Sequence, residues 1–187
     1  MQTIDSTPAT QLYVTPEIFD ELCKINPDLR LECTAQGELI VNPPTGGDTG
    51  ASNAGLTAKF WNWNEKNRPG KIFDSSTGFK LPNGATRSPD VSWVRLDRWN
   101  ALTPEQRRGF IPLAPDFVLE LMSPSDNLSN LQEKMQEYLE NGVLLGWLVN
   151  PDGKTVEIYR PGQAVQVVPL PCKLRGEAVL PGFELEI

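Results

Sequence analysis

Asp90 and Glu120 stand thirty residues apart in a chain without histidine, and Lys134 follows the second acid after a further fourteen positions. Asp90 lies in Ser88-Pro89-Asp90-Val91-Ser92-Trp93-Val94, and Glu120 in the apolar run Asp116-Phe117-Val118-Leu119-Glu120-Leu121-Met122. An ionised glutamate inside such a strand costs several kcal/mol of desolvation unless a cation or hydrogen-bond donors meet it. Two carboxylates, one lysine and no imidazole are the equipment for holding a hard divalent ion, Mg2+ or Mn2+, beside a phosphodiester. The expected protein ligands are Asp90, Glu120 and the backbone carbonyl of Leu121, with water or phosphate oxygens completing an octahedron. A water on such an ion loses its proton more easily, and Lys134 is the group expected to orient it or to offset charge growing on the phosphorane.

Each residue also has a purely structural reading. Asp90 after Ser-Pro could close a turn, Glu120 could belong to a structural ion pair, and Lys134 could snorkel past Tyr138. Ser123 and Ser125 read as an N-cap pair before the next helix, not as nucleophiles, because no base accompanies them. The absence of histidine removes a Ser-His-Asp triad, a Cys-His dyad and every imidazole metal site.

Positioning these groups falls to a strand, a helix and a second strand. Alternation puts Asp116, Val118, Glu120 and Met122 on one face and Phe117, Leu119 and Leu121 on the other, so Glu120 points where a helix must cover the sheet. That helix is expected over residues 128–140, stopping at Asn141-Gly142. Leu128, Leu131, Met135, Tyr138 and Leu139 form its apolar stripe; Lys134 and Gln132 border it, and Glu133, Glu137 and Glu140 take the far face. Three strands follow near 146–150, 155–159 and 164–168, the first two joined through Pro151-Asp152-Gly153-Lys154. Upstream, Thr15-Pro16-Glu17 starts a short helix, residues 29–33 and 38–41 form a hairpin around Ala35-Gln36-Gly37, and Pro43-Pro44-Thr45-Gly46-Gly47 breaks the chain. Helical spacing of Leu56, Phe60 and Trp63 predicts a helix over 52–66, and short β-like runs at 71–73, 78–81 and 91–94 predict a meander leading to Asp90. Residues 97–115 form a long connection containing a capped turn at Thr103-Pro104-Glu105. The strand-helix-strand order implies a parallel crossover in a mixed sheet, hence a three-layer α/β or α+β fold.

With 187 residues, 39% of them hydrophobic, the chain is expected to be one domain over 1–187, with residues 1–45 as an N-terminal helix plus hairpin extension. Cys23, Cys33 and Cys172 fit neither a disulfide framework nor a zinc site, which favours a reducing cytoplasm, and no stretch has the length of a membrane span. The net charge of -7 argues against broad non-specific nucleic-acid affinity. Yet residues 1–58, 59–108 and 109–187 carry -6, +5 and -6, so the middle third either presents a local basic surface or is an ordinary solvated one.

The ordered set Phe79-Lys80-Leu81-Pro82-Asn83-Gly84, Ser88-Pro89-Asp90-Val91-Ser92-Trp93-Val94, Pro115-Asp116-Phe117-Val118-Leu119-Glu120-Leu121-Met122-Ser123-Pro124-Ser125 and Lys134...Tyr138...Asn141-Gly142-Val143...Trp147-Leu148-Val149-Asn150-Pro151 resembles the Uma2 family of restriction endonucleases. The resemblance runs from about Ile18 to Phe183. It implies the PD-(D/E)xK nuclease-like fold, a mixed central sheet flanked by helices, with a metal-dependent DNA-cutting site at the sheet's edge. Carried over, it makes Asp90 and Glu120 the metal ligands. Where the superfamily pattern has a lysine two residues after the second acid, this chain has Met122; the family itself usually keeps a lysine where Lys134 stands. A polar contribution from the first helix is also usual, and Asn53 is the candidate. DNA is the expected substrate and a homodimer the expected assembly for cutting a duplex, through exposed aromatics such as Trp99 or Trp61. Two other functions remain open: a non-catalytic DNA- or protein-binding module with the same fold, and a hydrolase acting on a small substrate through paired carboxylates.

Overall fold

A computed structural model describes residues 11–187. β1 (Leu12–Tyr13) precedes α1 (Pro16–Ile25), whose first turn is closed by Thr15 accepting from the Ile18 N–H. The expected hairpin is present as β2 (Arg30–Cys33) and β3 (Glu38–Asn42), with Leu31 opposite Val41 and Cys33 opposite Leu39. Its turn uses Gly37 at φ +88, where a Cβ would sit 2.6 Å from the Val14 carbonyl oxygen. The part of the expected N-terminal extension at residues 1–10 lies outside the described residues.

α2 (Gly47–Asn67) begins five residues before the expected start. The sequence Thr45-Gly46-Gly47 reads as a breaker, but Gly46 is an extended N-cap and the helix continues through weak formers. Burial of Leu56 and Phe60 lower in the same helix outweighs their propensity.

β4 (Gly70–Asp74), β5 (Phe79–Lys80), β6 (Thr86–Arg87) and β7 (Val91–Arg95) are not the single meander the sequence suggests. Ser76 donates from its N–H and hydroxyl to Asp74 and turns the chain, so the β5–β6 hairpin leaves the central layer and pairs through Thr86 with Cys33 of β2. β4 then pairs directly with β7, Ile72 opposite Trp93. The long connection holds α3 (Leu96–Asn100) and α4 (Pro104–Arg108), the latter with a Thr103–Gln106 capping box. Trp99 is not an exposed contact residue: it packs 5.4 Å from Phe73, and the Arg107 guanidinium lies over it.

β8 (Phe117–Leu121), α5 (Leu128–Glu140) and β9 (Leu145–Asn150) form the expected crossover, β8 and β9 running parallel with Glu120 opposite Leu148. The α5 cap is Asn127, which accepts from the Ser129 N–H, and not Ser123 or Ser125; Asp126 takes the Ser123 N–H instead. β10 (Thr155–Tyr159), β11 (Gln166–Pro169), β12 (Lys173–Arg175) and β13 (Glu184–Glu186) complete the chain.

The central sheet runs β11-β10-β9-β8-β7-β4, and a second sheet runs β1-β3-β2-β6-β5. This is the mixed central sheet flanked by helices that the resemblance implies. Alternation divides the central strands as expected. Val91, Trp93, Phe117, Leu119, Leu145 and Trp147 face α2 and the β12–β13 hairpin, while Val94, Val118 and Leu148 face Met135 and Tyr138 of α5, Phe79 of β5 and Leu81 just after it. Phe60 anchors the first face, 5.1 Å from Phe117 and 4.3 Å from Phe183. No helix among the described residues is long and apolar enough to cross a membrane.

One buried polar side chain fixes α2 on the sheet. Asn64 donates to the Gly70 carbonyl of β4 and accepts from the indole N–H of Trp93 in β7. Gly70 permits the approach, because a Cβ there would collide with the Val94 carbonyl and the Trp93 ring. Asn64→Ala leaves both partners buried without a bond, so urea denaturation should show a loss of about 1–3 kcal/mol.

Candidate functional site

The cross-strand register brings the two acids together. Val91 pairs with Leu119, and one step further along the same antiparallel ladder sets Asp90 beside Glu120, on the face that α5 covers. Asp90 is held by the Leu121 N–H on Oδ2 at 2.8 Å and by the Asn53 side-chain amide on Oδ1 at 3.1 Å. Glu120 Oε1 accepts from the Tyr138 hydroxyl at 2.9 Å and lies 2.9 Å from Lys134 Nζ. The structure therefore assembles Asp90, Glu120, Leu121, Lys134 and Asn53 in one place. Met122 takes no part in this cluster; its N–H continues the ladder to the Val149 carbonyl.

Lys134 is not at an open rim. Its side chain is 13% exposed, because the β2–β3 hairpin covers the edge of α5 and supplies a second carboxylate, Glu32, whose Oε1 is 3.1 Å from Nζ. Glu32 also accepts from Asn42 at 3.2 Å and from Arg87 Nη1 at 3.4 Å, and Arg87 Nε donates to Glu137 at 2.6 Å. Glu137 thus does not lie on a solvent face: β6 covers it. Sequence reading passed over Glu32 and Arg87 and put Glu137 on the far face of its helix. The available signal was Glu32 between Leu31 and Cys33, an acid in a short apolar strand, the same anomaly that marks Glu120.

Burial pushes the Glu120 carboxyl up to about 7, with Asp90 and Glu32 adding to the push and Lys134 opposing it. Burial also raises Asp90, against the Leu121 N–H and Lys134. For Lys134, burial disfavours the ammonium, but Glu120 and Glu32 outweigh it and hold the amine protonated. Tyr138 is raised well above its ordinary value by burial and by the two glutamates, so it stays a hydroxyl donor.

Glu32, Asn53, Asp90, Glu120 and Lys134 line a cleft of about 450 Å³ between the α2 N-terminal segment, the β2–β3 hairpin and the β8–α5 loop. Among the described residues no three Asp, Glu, Cys or His side chains converge as ligands, so a cation here would rest on two carboxylates and backbone or solvent oxygens. One observation fits such an ion. Asn53 Oδ1 is buried without a partner beside Asp90, where a water of a hydrated cation would supply its donor.

The Uma2 family model, described as "Putative restriction endonuclease", matches residues 16–187. The crystal structure at 1.96 Å of "a putative nuclease belonging to DUF820" from Anabaena variabilis ATCC 29413 has a similar fold, with a TM-score of 0.71 and 23% sequence identity over 83% of this chain and 86% of that one. No curated protein sequence matches the chain.

The raised Glu120 carboxyl gives a signed pH dependence. The folded protein keeps that proton up to about 7 while the unfolded chain releases it near 4.5, so stability from this group is full below 4.5 and is lost as pH rises through about 7. With a chelator present, Glu120→Gln should remove a fall of about 3 kcal/mol in unfolding free energy between about pH 4.5 and about pH 8, read by urea titration against the unsubstituted protein.

Proposed function

The chain belongs to the Uma2 family, and from that membership and the paired carboxylates we propose that it is a metal-dependent endonuclease that hydrolyses phosphodiester bonds in DNA. The observation that carries the reading is the convergence of Asp90 and Glu120 at adjacent strand ends, in a cleft that also receives the buried Lys134 ammonium. Asp90, Glu120 and the Leu121 carbonyl would hold Mg2+ or Mn2+. Such an ion lowers the pKa of a bound water and offsets negative charge on the phosphate.

The chain's own residues supply the rest. The Leu121 N–H and Asn53 aim the Asp90 carboxylate, and the Tyr138 hydroxyl fixes one oxygen of Glu120. Lys134 keeps a positive charge at the cleft floor, suited to the attacking water or to charge developing on phosphorus. In this reading the described residues, 11–187, work as one unit. Cutting both strands of a duplex takes two sites, hence a homodimer, and Trp61, 52% exposed, is available on α2.

A second reading rests on Met122 and the net charge of -7: a module that binds DNA or protein without cutting. Supercoiled plasmid incubated with protein and Mg2+ or Mn2+ separates the two. Nicked and linear products are expected from the unsubstituted chain, and Asp90→Asn and Glu120→Gln should each lower the rate about a thousandfold or more. Intact plasmid alongside tight Mn2+ binding would favour the binding module.

A further inference from the structure

We propose that Glu32 is the positioning residue for Lys134, giving its ammonium a second partner so that Glu120 can be released to take a cation. The inference rests on the metal reading above and adds a residue outside the strand-helix-strand unit, from a different sheet.

The geometry is that of one ammonium between two carboxylates. Lys134 Nζ stands 2.9 Å from Glu120 Oε1 and 3.1 Å from Glu32 Oε1, and the three side chains are 13%, 6% and 5% exposed. Both oxygens are close enough for direct bonds, and neither is screened by bulk water. An ammonium and a divalent ion compete for the same carboxylate. Lys134 bonds Glu120 directly, and with Glu120 as sole partner it would oppose an arriving ion by both occupancy and charge. Glu32, a second buried carboxylate already in contact with the ammonium, supplies an alternative partner, so Lys134 can remain protonated beside the cleft while Glu120 turns to a cation.

Glu32 is itself held for this task. Asn42 donates to the same oxygen that Lys134 approaches, while Arg87 approaches the other oxygen at 3.4 Å. Arg87 is committed more tightly to Glu137, at 2.6 Å, which leaves Lys134 as the closest cation to Glu32. Leu31 and Cys33, on either side of Glu32 along β2, point into a separate apolar cluster with Phe19, so the carboxylate has one direction available to it.

Mn2+ affinity, measured by calorimetry on the intact chain without DNA, tests the assignment. Glu32→Gln keeps the shape and removes the charge, and should weaken Mn2+ binding about tenfold. Glu32→Asp, charged but shorter, should show a smaller loss. In a Lys134→Gln background, where no ammonium competes, Glu32→Gln should change affinity less than about twofold, the coupling expected of two contacting groups. Equal losses in both backgrounds would assign Glu32 a general electrostatic or structural effect and overturn the proposal. If Lys134→Gln does not fold, the graded series carries the test, and unchanged affinity in both Glu32 variants overturns it. Mn2+ binding that Asp90→Asn abolishes but Glu32→Gln leaves intact overturns this inference alone; no Mn2+ binding by the unsubstituted chain overturns the metal reading beneath it.

Discussion

A lysine ammonium and two carboxylates share a site from which water is largely excluded, and most of the architecture around the cleft follows from that. None of the three charges is tolerable there alone, since removing one partner of a buried pair typically costs about 3–5 kcal/mol. Lys134 comes from α5, Glu120 from β8 and Glu32 from β2. Docking the second sheet against α5 is therefore an electrostatic requirement as well as an apolar one. The Arg87–Glu137 pair repeats the arrangement one layer further out, tying β6 to the same helix.

Apolar packing supplies the rigidity the charges need. Met135 and Tyr138, one and four residues after Lys134 in α5, are fully buried, which fixes where its side chain starts. On the opposite face Phe60, Phe117 and Trp147 hold β8 and β9 against α2. The polar groups gather at the strand ends, where β7 gives way to Asp90 and the Leu121 N–H would otherwise have no partner across the ladder; Asp90 supplies one. The same residue that could ligate a cation also completes the hydrogen bonding of its neighbouring strand.

Much of this was legible in the sequence because it is local. Alternation along β8 told which face Glu120 occupies, the apolar stripe of α5 told which helix meets it, and the crossover set their order. Asn53, nominated because the resemblance implies a polar contribution from that helix, does contact Asp90. What escaped depends on contacts between distant segments. The departure of β5 and β6 from the central layer is decided by a turn at Asp74 and by pairing with β2, neither of which has a period to read. Glu137 occupies a position that looks like solvent on a helical wheel and becomes interior only once β6 lies over it. Lys134 looked peripheral for the same reason, and its second counter-ion lies 102 positions earlier in the chain.

The turn at Gly37 gains a meaning from this arrangement. Its left-handed backbone and its tight seat against Val14 set which β2 residue lies opposite which β3 residue, and so decide that Leu31 and Cys33 enter the apolar cluster while Glu32 turns the other way. A slip of one place would exchange those directions, hiding a charge among hydrocarbon and withdrawing it from the lysine. A half-buried glycine in a hairpin turn thereby governs the polarity of the cleft floor, and a damaging change there would look, in an assay, like an injury to the chemistry.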